Sequence, residues 1–201
     1  MSELRFGYHG SRGLPEALIA SAGLGEEVEL VEYDVRDPFA PLRSGRVDVM
    51  VTKAAQREPG LVYTGPVALD PRAVVVGAGH RLAGRAEVSV EEVADHPCFD
   101  RPGDMPEAAW DEIVPPRTPG GKPLRRAFPL TTVPELMRLV ASGAAVHLTV
   151  LSIRDVAPPG VRVVPVPDLP PVTVQLAHLP GAPDRVLAFA AACAGALAVT
   201  R

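Results

Sequence analysis

Short segments of strand-forming residues alternate with segments of helical periodicity along this chain of 201 residues. Leu4–His9 alternates apolar and other residues as a strand does, and Leu14–Ala22 then carries apolar residues at helical spacing. The order repeats with a strand over Val28–Tyr33, a short helix over Pro38–Ser44 and a strand over Val47–Val51. Strands separated by helices pair in parallel within a covered sheet. The alternation therefore predicts an α/β fold.

The remainder of the chain continues this alternation. Two capping boxes begin helices, at Ser89–Glu92 and at Thr132–Glu135, because in each a hydroxyl residue stands three positions before a glutamate. The last helix begins at Pro183–Asp184. Further strands are predicted at Ala73–Val76, Arg126–Leu130, Val146–Val150, Val161–Val166 and Val172–His178. The proline-rich segment Pro102–Pro123 is predicted to form loop and short helix over a cleft or an edge rather than core strand.

Composition excludes several classes of protein. The chain has 24 acidic residues against 20 lysines and arginines, a net charge of −4, and 47% hydrophobic residues. A mildly acidic chain has no electrostatic footprint for nucleic acid or for an anionic membrane surface. Its hydrophobic fraction is enough to bury a core. A stand-alone basic DNA-binding protein, a fibrous protein and a disordered tail are therefore excluded.

The sequence predicts a cytoplasmic protein with no membrane partner. No basic segment followed by an apolar one appears after Met1. The most apolar stretch, Val186–Val199, has 14 residues, whereas a membrane span needs about 20, so this stretch is predicted to be a buried helix. Cys98 and Cys193 stand far apart without metal-ligand spacing, and two reduced thiols are favoured over a disulfide.

The sequence contains segments that resemble catalytic and cofactor-binding motifs, but each of them lacks a residue that the motif requires. Gly77–Leu82 follows a strand as a dinucleotide fingerprint does, but Leu82 replaces its third glycine. Gly121–Lys122 lacks the spacing and the Ser or Thr of a phosphate-binding loop, because Pro123 follows. His147 lies between two apolar residues of a predicted strand, where a structural histidine is favoured over a catalytic one. We expect no cofactor and no metal.

Two strand-to-helix turns carry hydroxyl groups, one in each half of the chain. His9–Gly13 resembles a nucleophile elbow, but His9 occupies its first glycine position. A glycine-rich turn whose Ser11 satisfies N–H groups of the helix is favoured, and binding of an anionic or carbonyl oxygen there is a third interpretation. Thr131 and Thr132 stand at another helix start. If the halves face each other, these hydroxyls share one polar cleft, where small-molecule sites tend to lie.

Five segments, in order along the chain, match the pattern of a known family. They are Leu4–Gly7, Leu42–Val49, Pro59–Leu61, Val74–Ala83 and Leu136–Gly143. Their order and spacing resemble the effector-binding domain of LysR-type transcriptional regulators, a type 2 periplasmic-binding-protein fold, over nearly the whole chain. Two features depart from the family pattern. Gly143–Thr149 lacks a glycine and a proline and gains His147, and Pro102–Pro123 is unusually rich in proline.

The resemblance implies two lobes joined by two crossover strands, near Arg72–Val76 and Val172–His178. Lobe I would hold residues 1–71 and 176–201, and lobe II residues 72–175. A small organic effector, a carboxylate or an aromatic compound, is expected to bind between them. Seven residues are predicted to bind it: Ser11, Arg12, Lys53, Phe99, Thr131, Thr132 and His147. Of these, Phe99 comes from the stretch Cys98–Asp104, which is expected to follow a strand on the side of the cleft.

The resemblance also implies an antiparallel homodimer. In it, the helix Leu14–Ala22 of one copy packs against Val133–Ser142 of the other, although the apolar faces of both helices are equally explained as core. The winged helix-turn-helix of the family is not expected here, because Met1 stands just before the first strand. We therefore expect no specific DNA binding by this chain alone.

Three functions remain open from the sequence. The first is a sensor or binding module for a small molecule, acting through a protein partner or as part of a longer regulator. The second is an enzyme on the same two-lobe scaffold, with His9, Ser11 and His147 as acid–base groups near the cleft. The third is an extracytoplasmic solute receptor, against which the missing signal segment argues.

Overall fold

The computed structural model describes residues 3–23, 28–34, 36–54, 57–103, 105–194 and 198–199. The helices are α1 (Gly13–Ala22), α2 (Ala40–Arg43), α3 (Val90–Val93), α4 (Glu107–Ile113), α5 (Val133–Ala141) and α6 (Asp184–Ala194), with a 3₁₀ segment over Leu151–Val156. The strands are β1 (Leu4–Tyr8), β2 (Val28–Glu32), β3 (Val49–Lys53), β4 (Val62–Tyr63), β5 (Ala68–Asp70), β6 (Arg72–Gly77), β7 (Pro97–Phe99), β8 (Arg125–Phe128), β9 (His147–Val150), β10 (Val161–Pro165), β11 (Val172–His178) and β12 (Ala198–Val199).

The larger sheet contains seven strands of the described residues. Its order is β12-β5-β11-β3-β1-β2, and β4 pairs with β11. β1 pairs in parallel with β2 and β3, as the alternation of strands and helices predicts. α1 and α6 pack together, and the rings of Phe6 in β1 and Phe189 in α6 meet edge to face at 5.0 Å. The last helix therefore belongs to the core of the larger sheet.

A second core surrounds a sheet that has three antiparallel strands within the described ranges. Its order is β10-β6-β9, and β7 and β8 form a separate parallel pair. β6 is buried along its whole length. Val75, Trp110, Leu136 and Leu148 belong to this core, so α4 and α5 are packed with the second sheet. The result is a mixed α/β fold with separate cores for the two sheets, and the predicted fold class is confirmed.

The chain passes between the two sheets at two places. The first lies between Asp70, the last residue of β5, and Arg72, the first of β6. The second lies at the start of the predicted crossing strand Val172–His178, because Val172 belongs to the second core, whereas Val174 and Leu176 belong to the core of the larger sheet. From Val172 onward the backbone of β11 pairs with β5 and then with β3.

The predicted long helix at the end of the chain is also corrected. α6 ends at Ala194, and Ala198–Val199 pairs in parallel with β5 rather than continuing a helix over Val186–Val199. The pairing gives the backbone of this short apolar segment hydrogen-bond partners at the edge of the sheet. Residues 195–197 lie outside the described residues.

Both predicted capping boxes begin helices, with different side-chain contacts. The Ser89 hydroxyl accepts a hydrogen bond from the N–H of Glu91, and the Glu92 carboxylate accepts one from the N–H of Ser89, so this box is closed in both directions. The Thr132 hydroxyl accepts from the N–H of Glu135 at 3.3 Å. The Glu135 carboxylate instead pairs with Arg138 at 2.6 Å.

Two further expectations concern the cysteines and the membrane. Cys98 and Cys193 are both free thiols in buried positions, as the sequence predicts. Within the described ranges, every helix falls short of the length and apolarity that crossing a bilayer requires.

Candidate functional site

A cavity of about 130 Å³ lies between the elements of the two sheets. The side of the larger sheet contributes His9, Ser11 and Lys53. Most of the opposite wall is apolar and includes Met105, Trp110, Ile113, Leu136, Met137 and Ile153. A cavity of about 150 Å³ is enough to hold benzene. The volume therefore suits a compound of about one ring.

The turn between β1 and α1 places Ser11 in the cavity wall. Gly10 adopts a φ of 74°, a left-handed conformation that glycine adopts readily, and the chain turns into α1 there. The buried Ser11 hydroxyl accepts a hydrogen bond from the N–H of Gly13 at 3.1 Å and donates one to the carboxylate of Asp155 in the 3₁₀ segment. Ser11 thus satisfies an N–H group at the start of α1, as predicted, and also links this helix to the 3₁₀ segment that contributes Ser152 and Ile153 to the cavity wall.

Lys53, at the end of β3, is held by a buried carboxylate. Its ammonium donates to Oδ2 of Asp70 and to the hydroxyl of Ser152, both at 2.8 Å. The Ser152 hydroxyl donates to the same carboxylate at 2.6 Å, and its N–H donates at 3.1 Å. Asp70 is completely buried. The positive charge of Lys53 is therefore balanced within the protein.

His147 and Trp110 form the deep polar part of an otherwise apolar wall. Their rings stack at a centroid distance of 6.4 Å with 23° between the planes, and the edge of Phe99 meets His147 at 5.8 Å. Burial lowers the pKa of His147 to about 4, so its imidazole is neutral near pH 7. Within the described part of the chain, Nε1 of Trp110 and Nδ1 of His147 have no hydrogen-bond partner. Buried polar atoms are normally partnered, so these two are candidates for contacts with a ligand.

His9 and Tyr33 complete the wall on the side of the larger sheet. Nδ1 of His9 lies 3.0 Å from the carbonyl oxygen of Tyr33, and the Tyr33 hydroxyl donates to the carbonyl of Val51 at 2.9 Å. Burial lowers the pKa of His9 and raises that of Tyr33. Both side chains are therefore neutral near pH 7.

A second, more open pocket of about 380 Å³ adjoins the cavity, and we call it the outer pocket. Both spaces are lined by His9, Tyr33, Leu130 and Val133. Thr131 and Thr132 line the outer pocket, where Thr132 also caps α5. The hydroxyl residues of the two predicted turns therefore lie in adjoining spaces, Ser11 in the cavity and the threonines outside it.

The predicted ligand-binding residues fall into three groups, which line the cavity, line the outer pocket or lie outside both. Ser11, Lys53 and His147 line the cavity, and Thr131 and Thr132 line the outer pocket.

Arg12 and Phe99 lie outside both walls. Arg12 is exposed and pairs with Glu16 at 3.2 Å. Phe99 is buried behind the cavity wall, against His147 and, at 6.1 Å, Phe128. Asp104, the last residue of the predicted stretch, lies outside the described residues.

The sequence did not predict most of the apolar lining of the cavity, nor the polar residues Asp70, Trp110, Ser152 and Asp155. Trp110 carried a usable signal, since it is the only tryptophan of the chain and lies in the proline-rich segment predicted to cover a cleft. Ser152 and Asp155 lie in a 3₁₀ segment that no periodicity indicated. Asp70 is the last residue of a three-residue strand, too short to reveal its contacts.

Comparisons with known proteins identify the fold. The LysR substrate binding domain family matches residues 24–198. A search of curated protein sequences returned no match. Among solved structures, CbnR, a LysR family transcriptional regulator, aligns with a TM-score of 0.73 at 17% identity, over 95% of this chain and 68% of that chain.

Two effector-binding domains align over nearly their full lengths. The domain of QuiR in complex with shikimate has a TM-score of 0.70 at 14% identity, over 96% of this chain and 95% of that one. The domain of BenM with its effector benzoate has a TM-score of 0.66 at 17% identity, over 95% and 90%. These likenesses show a type 2 periplasmic-binding-protein fold. The family match covers most of the chain, which therefore belongs to the LysR substrate binding domain family.

Proposed function

We propose that this domain senses a small organic effector, which binds in the cavity between two lobes. One lobe comprises residues 1–71 and the returning end of the chain, and the other the residues between. The observation that carries the proposal is the cavity itself, because its walls come from both sheets and side chains on opposite walls are already in contact. Lys53 bonds to Ser152 of the opposite wall, and Ser11 bonds to Asp155 of the same 3₁₀ segment.

The family and the cavity volume support this function. The relatives QuiR and BenM are described with shikimate and benzoate, both of which contain one six-membered ring. The cavity of about 130 Å³ is close in volume to one that holds benzene, and it adjoins the outer pocket, which leaves room for the substituents of such a ring. The solved structures named above are regulators or effector-binding domains, so they give the enzymatic alternative no support.

A thermal-shift screen with a cavity-filling variant tests the proposal. A compound at about one hundred times its Kd stabilises a fold by about 2.7 kcal/mol, which for a chain of this size raises Tm by about 5–10 °C. Ile153→Trp fills the cavity and should abolish that rise. Leu187→Trp adds the same ring at an exposed position of α6 and should retain it. A compound that raises Tm equally in both variants binds elsewhere, and the proposed site is then wrong.

We also propose that the domain forms a homodimer, with α1 of one copy against α5 of the other. The buried side chains of both helices already pack inside one chain, so the contact would use their outward faces. Ala17 of α1 and Arg138 of α5 are exposed on these faces. Light scattering after size exclusion should give twice the chain mass, and Ala17→Arg should give a monomer. A wild-type monomer at concentrations of about 100 μM would contradict this pairing.

A further inference from the structure

We propose that the cavity selects an uncharged single-ring compound that carries an oxygen acceptor, and that the buried nitrogens of Trp110 and His147 bind its polar group. This inference rests on the proposed function, since it names the chemical class of the ligand for the same site. The sequence predicts a carboxylate or an aromatic compound as the effector, and this inference chooses an uncharged ring over a carboxylate. Three features of the described residues carry it.

The first feature is that the lysine of the cavity is already paired. Lys53 contacts Asp70 and Ser152 at 2.8 Å, and Asp70 is completely buried. A ligand carboxylate would have to compete with a buried carboxylate of the protein for this ammonium group. Burying an anion without an available cation is strongly unfavourable, whereas a neutral ring carries no such cost.

The second feature is that the protein's own carboxylate occupies the start of α1. Ligand anions bind at helix N-termini because the first N–H groups lack partners. Here the Ser11 hydroxyl accepts from the N–H of Gly13, and Asp155 accepts from Ser11. A Cβ built on Gly13 would lie 2.9 Å from Oδ2 of Asp155, which shows how closely this carboxylate approaches the helix. A second anion at this place would meet a like charge.

The third feature is the pair of buried nitrogens that lack partners. Trp110 is 3% exposed and His147 7% exposed, and both line the cavity. The indole N–H only donates hydrogen bonds. With His147 neutral, its Nδ1 donates or accepts according to the tautomer. An uncharged carbonyl or hydroxyl oxygen satisfies such groups, and the apolar side chains around them favour a ring.

The outer pocket favours the same class of ligand. Among its described lining residues, Glu32 and Asp34 outnumber the single cation Arg36. Arg36 is in turn bonded to Asp34 at 2.5 Å. The approach to the cavity is therefore mildly acidic, and it opposes the entry of anions rather than of neutral compounds.

Isothermal titration with compounds of matched shape tests the inference. Benzamide and benzoate differ little in shape but differ in charge, and toluene retains the ring without an acceptor. We expect benzamide to bind at least about tenfold more tightly than benzoate, since Lys53, the cation among the described residues of the cavity wall, is already paired. Benzoate binding as tightly as benzamide, or none of the three binding saturably, overturns the inference.

Variants identify the two nitrogens. Trp110→Phe and His147→Leu each remove one of the two unpartnered nitrogens and should lower the affinity ratio of benzamide to toluene by about fivefold, as expected for one lost hydrogen bond. Phe128→Leu is the matched control, because it trims a ring that packs against Phe99 rather than lining the cavity, and it retains both nitrogens, so the ratio should not change. Circular dichroism establishes that each variant is folded. An unchanged ratio in both nitrogen variants overturns the assignment.

The results of these experiments distinguish a wrong ligand class from a wrong effector-binding site. Preferential binding of benzoate that Ile153→Trp abolishes would contradict the neutral class and leave the proposed function intact. Binding of benzamide that Ile153→Trp does not weaken would contradict the proposed site itself.

Discussion

Burial of a neutral imidazole makes His147 a source of pH-dependent stability. Its folded-state pKa of about 4 lies below the ordinary value of 6.5. Between these values the unfolded chain binds a proton that the folded chain does not, so stability falls as pH falls through this window. From pH 7 to pH 5 the loss expected from this residue is about 2 kcal/mol. Urea unfolding at the two pH values measures it.

The control is a variant in which an apolar side chain of similar size replaces the imidazole of His147 in the cavity wall. His147→Leu should lose less stability between pH 7 and pH 5 than the wild type does, whatever its stability at pH 7. Burial also lowers the pKa of His9, which should leave a smaller dependence of the same sign in the variant. Equal losses in both proteins would show that His147 takes up a proton as readily in the folded chain as in the unfolded chain.

The two capping hydroxyls should differ in what their removal costs. Ser11→Ala removes both the bond to the N–H of Gly13 and the bond to Asp155, so we expect a loss of about 1–2 kcal/mol. Thr132→Ala removes one exposed cap at 3.3 Å and should cost about 0.5–1 kcal/mol. Denaturant midpoints measure both. A larger loss for Thr132→Ala would contradict the contact between Ser11 and Asp155.

The sequence indicated Ser11, Lys53 and Thr132, but not the distant residues to which Ser11 and Lys53 are hydrogen-bonded. Ser11 and Thr132 were accessible because a cap is a local contact between neighbours in the chain. The contact of Ser11 with Asp155 joins residues 144 positions apart, and that of Lys53 with Ser152 joins residues 99 apart. No local pattern encodes such pairs. Arg12 shows the converse, since a cation at a helix start was expected to face the ligand and instead pairs with its neighbour Glu16.

Among the elements, α4 depends on one buried arginine for its position. Arg72 at the start of β6 is 3% exposed and donates to the carbonyls of Glu112 and Ile113, the last two residues of α4. It also donates to the carbonyl of Thr149 in β9 at 3.2 Å. Burial lowers the pKa of Arg72 to about 10, which leaves it charged at neutral pH. The helix that carries Trp110 is therefore held to the second sheet through its C-terminal carbonyls.

Arg72→Met should release α4. We expect a loss of about 2–4 kcal/mol in urea unfolding, because the substitution leaves buried carbonyls without a donor. Ligand affinity should fall as well, since Trp110 loses its support. Arg12→Met removes an exposed arginine and should change stability by less than about 0.5 kcal/mol. Similar results for the two variants would show that α4 is fixed by packing alone.

The regular elements were predictable where their signals were local. Alternating apolar residues defined β1, apolar residues at helical spacing defined α1, and α2 lies within the predicted short helix Pro38–Ser44. These signals are local because they lie between neighbours in the chain. β11 was found as a strand, but its sheet was not, since pairing with β3 depends on residues more than 100 positions away. β12 was missed because its strand conformation comes from pairing with β5 rather than from its alanine-rich sequence.

At the scale of the whole molecule, the net charge of −4 predicts weak contact with DNA. Specific sites are usually bound at about 10⁻⁸ M or tighter at physiological salt, and phosphate contacts supply much of that affinity. Fluorescence anisotropy with duplex DNA should show no sequence-selective binding by these 201 residues below about 1 μM. Tighter, selective binding that weakens with added salt would refute this prediction.

The crossing between the sheets at residues 70–72 also bears on how the molecule melts. Asp70 is bonded to Lys53 in the larger sheet and to Ser152 beyond β9, while Arg72 is bonded to α4. Asp70 and Arg72 therefore link the two cores where the chain crosses between them. We expect the two cores to unfold in one calorimetric transition with equal van't Hoff and calorimetric enthalpies. Asp70→Ala should lower Tm and split or broaden that transition. A single sharp transition in the variant would place the cooperativity of the fold elsewhere.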